Sequence, residues 1–217
     1  FVHINESLED GAIRKLREET GIDNVYMEQL YTFGETNRDP RTRVISIGNI
    51  ALIAKDNLNY NKTNKNMESM WFWINKKILN KVSNEEYIIN VHELSLISED
   101  GKIEIKYEKS ILRKKNEIYK NILGKDELAF DHYKIIDYAI DRIRNKVEYT
   151  PIALNLLPRL FTVKELQNVY EAIMGREILN FRRKMGDMII ETDEIIEGKP
   201  FRPAKMFKFN EEYEHNF

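Results

Sequence analysis

The chain has 217 residues, with 34 Lys or Arg against 36 Asp or Glu, 42% hydrophobic residues and no Cys. The missing Cys excludes thiolate catalysis, disulfides and Cys-based zinc sites, and the near-balanced charge selects no partner by bulk attraction. The four His are scattered with no H-E-x-x-H pattern, and no apolar run reaches the ~18 residues of a membrane span, so a cytoplasmic protein with no membrane partner is expected. The length suits two small domains or one large one.

In chain order, "NESLEDGAIRKLREETGI" comes first. Ser7 and Asp10 fit a capping box, the helix runs from about Leu8 to Thr20, and Gly21 takes the C′ position. Leu8, Ala12, Leu16 and Thr20 mark one face, with Ile13 beside it. "VYMEQLYTFG" and "RVISIGNIALIA" are strand-like, joined by the polar loop "ETNRDPRT". A polar connection over 60–66 leads to "SMWFWI", expected as a short buried strand followed by one helical turn. "EYIINVHELSLIS" and "KIEIKYEKS" flank Glu99, Asp100 and Gly101, a hairpin signal. Residues 111–123 are assigned to a further strand. Asp131 to Val147 is helical, with Ile135, Ile136, Ala139, Ile140 and Ile143 inward. Thr150 is the expected cap of the next helix, with Pro151 at N1.

The remaining elements are short. A helix over 152–157 is stopped by Pro158. Thr162 and Glu165 form a second capping box, and Gly175 ends that helix. A third helix is predicted over Ile178 to Met188, with Ile178, Phe181, Met185 and Met188 inward. "MIIET" and "AKMFKF" then form a hairpin around a wing. Helix, helix, helix, hairpin is the order of a winged helix-turn-helix.

Glu6, followed after seven residues by Arg14-Lys15-Leu16-Arg17-Glu18-Glu19-Thr20-Gly21-Ile22, resembles the Nudix hydrolase signature. Only Lys15 departs from the pattern; the leading Gly would precede Phe1, so an upstream segment, including strands of the sheet, is expected. In that family, carboxylates three and four apart on one helix face hold Mg²⁺, which grips a diphosphate and activates water. The resemblance assigns Glu18 and Glu19 to this metal and catalytic pair. Glu6 and Arg14 support the loop and orient the helix. Lys15 stands where a third Glu belongs, at i,i+3 from Glu18 and i,i+4 from Glu19, so its ammonium can sit in the metal's place. Mg²⁺ binding and hydrolysis are then expected to be weak or lost, while Lys remains a competent phosphate partner. The plainer alternative is an ordinary surface salt bridge.

The resemblance extends further. Gln29–Gly48, Leu128–Pro158 and Phe161–Met185 are similar to segments of NrtR-type regulators, which join a Nudix domain to a DNA-binding winged helix. It implies an α/β (α+β) fold: a Nudix α/β/α sandwich with a mixed sheet over 1–148, then a winged helix over 149–217. Residues 85–124 look inserted. It also implies a homodimer that binds ADP-ribose or a related nucleotide and a DNA operator. Arg38, Arg41 and Arg43, beside Asp39, are candidates for ligand phosphate or ribose, against the alternative of internal Asp–Arg pairs. Trp71 and Trp73 are weighed as adenine-stacking or core residues, and His132 as a helix-capping residue rather than a catalyst.

From Thr150 to Asn210 there are ten Lys or Arg against eight Asp or Glu. Arg176, Asn180, Arg182, Arg183 and Lys184 lie on or beside the third helix, and Lys199 and Arg202 on the wing. Arg reads guanine, Asn reads adenine and Lys holds phosphate, so these seven are the DNA-binding candidates. Two rivals stand: an active Nudix pyrophosphatase cleaving a nucleoside diphosphate derivative with Mg²⁺, and a scaffold whose winged helix binds protein.

Overall fold

The computed structural model describes residues 1–54, 70–83, 88–112, 117–121, 127–195 and 204–213. Two compact units emerge. One holds the described residues of 1–33, 46–65 and 138–217; the other holds those of 34–45 and 66–137. The division falls inside a helix, and the boundary expected near Glu148 lies within the first unit.

The first unit begins with α1, Leu8–Thr20. The Ser7 side chain accepts from the Asp10 backbone N–H at 3.0 Å and so satisfies one of the orphan donors of the first turn. Gly21 closes the helix in the left-handed region at φ 71°, its N–H donating to Arg17 O. Both ends match the sequence expectation. The apolar face is less covered than expected: Leu8 and Ile13 are exposed, and Leu16 is half-buried. The one buried position is Gly11, where an added Cβ would lie 3.1 Å from Glu6 Oε1. Small size there lets the preceding loop lie against the helix.

β1 (Tyr26–Phe33) pairs antiparallel with β2 (Ser46–Leu52). A register shift between Gln29 and Tyr31 lets Leu30 and Phe33 both face inward. Phe33 meets Tyr31 and Tyr138 edge-on, and Gly48 allows the close approach of the Phe33 ring. Tyr138 belongs to α2, His132–Lys146.

In the second unit, β3 (Phe72–Ser83), β4 (Ile88–Ser98), β5 (Glu104–Leu112) and β6 (Glu117–Asn121) form one antiparallel sheet in sequence order. The hairpin at Gly101, φ 71°, is found; of the strand assigned to 111–123, Ile111 and Leu112 end β5, Glu117–Asn121 form β6, and the rest lies outside the described residues. β3 differs from expectation. It runs for 12 residues with no helical turn, because its backbone pairs with β4 along its whole length. It is also an edge strand, and Trp71 (41% exposed) and Trp73 (69% exposed) are not core residues. Among the described residues every strand ladder is antiparallel, so the mixed sheet is not represented there.

The chain after α2 also corrects one cap. Thr150 Oγ1 donates to Lys146 O at 2.7 Å and so completes the end of α2. The following turn, Ile152–Leu156, is 3-10 and begins after Pro151 without a side-chain cap. α3 (Val163–Met174) has the full capping box of Thr162 and Glu165 and ends at Gly175, φ 68°. The predicted third helix is shorter than read: α4 spans only Phe181–Met185, followed by a 3-10 turn at Gly186–Met188. Asn180 adopts φ 54° and Gly186 leaves helical geometry, so neither side continues the helix. β7 (Ile189–Ile195) and β8 (Lys205–Phe209) form the hairpin, and Phe161 joins β8 by an isolated bridge of two hydrogen bonds with Phe207. Phe161, Leu166, Phe181, Met185, Met188 and Met206 fill the core beneath.

Candidate functional site

On α1 the helix period places Arg14, Lys15, Glu18 and Glu19 together. Lys15 Nζ lies 2.8 Å from Glu18 Oε2 and 3.7 Å from Glu19 Oε1. Arg14 Nη1 donates to the other Glu18 oxygen at 2.9 Å. With Lys15 first and Arg14 second as hydrogen-bond donors, the Glu18 carboxyl is held down to about 2. Glu18 in turn pushes the Lys15 ammonium up, so the pair stays charged across ordinary pH.

Arg14 also binds Glu6, through Nη2 at 2.6 Å and Nε at 2.9 Å, while the His3 N–H donates to Glu6 at 2.6 Å. Arg14, then His3, depress the Glu6 carboxyl to about 2. Arg14 further reaches Phe1 O at 3.0 Å. The geometry therefore separates two pairs: Glu6 with Arg14 tie the preceding loop to the helix, and Glu18 with Glu19 face an amine.

Magnesium needs several oxygen donors around an open centre. Here both Glu18 oxygens are occupied by cations, and the neighbouring position brings positive charge. No group of three or more His, Asp or Glu that could hold a metal occurs among the described residues. Among the described residues, Glu18 and Glu19 thus face an ammonium rather than an open centre.

Beside α1, a cleft of about 270 Å³ lies between its first turn and the β1–β2 ladder. Leu8, Met27, Gln29 and Asn49 are among its walls, and so is Glu28. Burial pushes the Glu28 carboxyl up, but Lys146 and Tyr26 outweigh it, and the net shift is down. Its Oε1 is buried without a hydrogen bond, although Arg142 Nη1 stands 3.7 Å away. Sequence reasoning missed Glu28; an acid in an apolar strand beside tyrosine was the available signal.

In the second unit, Arg38, Arg41 and Arg43 share a loop, but each is engaged by protein. Arg38 makes a two-pronged ion pair with Asp131, at 3.0 and 2.9 Å, with side chains 6% and 8% exposed. Arg41 grips Asp39 at 3.0 and 2.8 Å, and its guanidinium lies 4.9 Å from the Phe130 ring centroid. Arg43 donates to Gly34 O and Glu35 O at 2.7 and 3.0 Å. The loop is thus stapled by its own arginines, and Arg41 is the exposed one of the two paired with acids. Asp131, not His132, is the buried anchor before α2, where His132 is exposed.

At the C-terminal end, the turn between α3 and α4 is built by side chains. Glu171 Oε1 accepts from the Ile178 N–H at 3.0 Å, and Gln167 Nε2 donates to Ile178 O at 3.3 Å. Those bonds keep Ile178 out of the following helix. Phe181 and Met185 then point inward, which sets Arg182, Arg183 and Lys184 outward. Arg182 lies over the Phe207 ring at 5.0 Å and donates to Gly186 O at 3.3 Å, so it braces the sheet. Among the described residues, Arg176, Arg183 and Lys184 pair with no acid. Asn180 is exposed at the N-cap rather than on the helix. Lys199 and Arg202 lie outside the described residues. A shallow groove, with Gln167, Asn180 and Arg183 among its walls, runs beside α4.

Residues 153–209 match the family model of the NrtR DNA-binding winged helix domain. That match covers about a quarter of the chain. It is 31% identical over 212 residues to the ADPR responsive transcriptional repressor NtrR of Acinetobacter baylyi, covering 95% of this chain; the chain spans 65% of that relative's length. Shewanella oneidensis NrtR complexed with a 27mer DNA superposes with a TM-score of 0.61, at 23% identity over 97% of this chain and 77% of that one. A MutT/nudix family protein from Enterococcus faecalis gives 0.63, at 29% identity over 97% and 71% of the two chains. These likenesses agree with a fold of mixed helices and small antiparallel sheets that includes a winged helix.

Proposed function

We propose that this chain is a ligand-responsive transcriptional regulator, whose winged helix binds an operator and whose Nudix-like part binds ADP-ribose or a related nucleotide without efficient turnover. The observation that carries this reading is Lys15 seated between Glu18 and Glu19, at 2.8 and 3.7 Å, on a chain whose α4 presents Arg183 and Lys184 to solvent. The amine substitutes for the charge of a metal but cannot lower the pKa of a bound water as a metal does. Binding can survive where hydrolysis does not. The name and the 31% identity of the Acinetobacter baylyi repressor support the same reading.

Regulation requires that the nucleotide bind the DNA-competent and DNA-incompetent arrangements with different affinity. Arg144 supplies one physical link on the winged-helix side: its Nε donates to Ile173 O, at the end of α3, at 2.8 Å. A change in the α2 backbone at this point reaches α3 directly. The protein acts as a cytoplasmic homodimer on a two-fold operator in this proposal. Among the described residues no helix is long and apolar enough to cross a membrane.

The test is fluorescence anisotropy with DNA from upstream of the chain's own or neighbouring genes. Salt-dependent binding that shifts with ADP-ribose, with and without Mg²⁺, is expected, alongside negligible cleavage of ADP-ribose. Brisk Mg²⁺-dependent cleavage would overturn the account of Lys15. Binding indifferent to salt would overturn the DNA reading.

A further inference from the structure

A cavity of about 320 Å³ opens between the residues just after α2 and the helices α3 and α4, apart from α1. That size falls within the range of small-molecule sites. Its apolar wall is formed by Met174, Phe181, Met185 and Met188, soft and aromatic surfaces that suit a flat ring. Three charged residues also line it: Glu148, Arg176 and Lys184, all exposed. The balance is one positive charge, and among the described residues neither cation has an acidic partner.

A second observation points to a ligand. Tyr170 lines the same cavity and is only 6% exposed. Burial pushes its phenol up to about 12, so it remains a neutral donor. Its hydroxyl has one hydrogen-bond partner among the described residues, the Met188 thioether at 3.8 Å. Sulfur is a weak acceptor, and a buried hydroxyl left with so poor a partner costs stability. A guest carrying a better acceptor would gain that bond.

We propose that this cavity is a second ligand site, taking a small aromatic carboxylate whose ring lies against the methionines and whose anionic arm is met by Arg176 and Lys184. Tyr170 donates to an acceptor on the guest. Arg176 and Lys184 are also DNA-facing candidates, so the guest and phosphate compete for the same cations. This coupling rests on the DNA-binding reading above. Each cation withdrawn from phosphate weakens DNA binding about five- to tenfold at ~0.1 M salt and lowers the salt slope by about 0.9.

The experiment uses the full chain with methyl-labelled methionine, titrated with indole-3-acetate and with neutral indole-3-ethanol. Of the seven methionines, Met174, Met185 and Met188 should shift saturably with the anion. The neutral analogue should bind at least about tenfold more weakly, the equivalent of one lost charge contact of ~1.4 kcal/mol. Tyr170→Phe and Lys184→Gln should each weaken the anion, with the methyl spectrum reporting that the fold is kept. No saturable shift at those three methyls overturns the site. Equal binding of acid and alcohol overturns the role of the cations. Anisotropy on DNA is measured in parallel: no DNA binding without indole-3-acetate sinks the DNA reading, while the methyl titration still decides the cavity.

Discussion

Asp137→Asn tests the charge arrangement that carries the second unit. Asp137 lies between Lys76 Nζ at 2.6 Å and Lys109 Nζ at 2.7 Å, with the three side chains 2%, 4% and 4% exposed. Burial alone would raise the Asp137 pKa; Lys109 and Lys76 overcome it, and the net direction is down. The substitution keeps the shape and removes the negative charge, leaving two buried ammonium groups to be accommodated. Breaking a buried pair in this way costs ~3–5 kcal/mol. For a chain of this size that corresponds to a loss of ~6–20 °C in Tm. Urea unfolding followed by tryptophan fluorescence is the suitable assay, because Trp73 sits on β3 three residues from Lys76 and Trp71 just precedes that strand. The lowered pKa means that the wild-type contribution is present above the ordinary aspartate range and disappears as pH falls below it; Asp137→Asn should lack that acid-side dependence. A loss below ~1 kcal/mol, or an unchanged acid limb, would refute the reasoning and mean that the lysines are satisfied without Asp137.

At α1, a carbon-detected titration should place the Glu18 midpoint near 2, and Lys15→Gln should raise it toward 4.5. The stabilisation from this group is complete above 4.5 and is lost as pH falls toward 2, so an unchanged midpoint in the variant would remove Lys15 as the main cause. Gly175→Ala forces an alanine into φ 68° and sets its Cβ 3.2 Å from Arg144 Nη2. A thermal or urea melt should show a loss of ~1–2 kcal/mol. Arg183→Ala should reduce the DNA salt slope by about 0.9 with stability unchanged. Arg182→Ala should instead lower Tm, since Arg182 covers Phe207; equal salt slopes for Arg183→Ala and wild type would remove Arg183 from the phosphate contacts.

Local chemistry was the legible part. Ser7, Gly21, Thr162, Glu165 and Gly175 act within one turn of their own backbone, so their roles follow from neighbours in sequence. Lys15 is the same case: three and four residues on a helix define its two carboxylates before any tertiary contact exists. The winged-helix order was legible because each short element carries its own stop signal. Extended pairing was harder. The end of β3 is set by β4, whose backbone supplies the partners, and the local "NKKILN" pattern does not reveal that edge.

The sequence by itself determined the helix ends, the hairpin at Gly101, the amine placed among the α1 carboxylates and the basic face of α4. These depend on backbone geometry and spacing over a few residues. Only the tertiary structure decided that Arg38 is bound to Asp131, 93 residues away, and that Asp137 is buried beneath Lys109, 28 residues away. It alone decided, too, that Tyr170 and Met188 share a cavity with Arg176 and Lys184. Ion pairs and cavities are set by which surfaces come together after the elements form, and no local period encodes that choice.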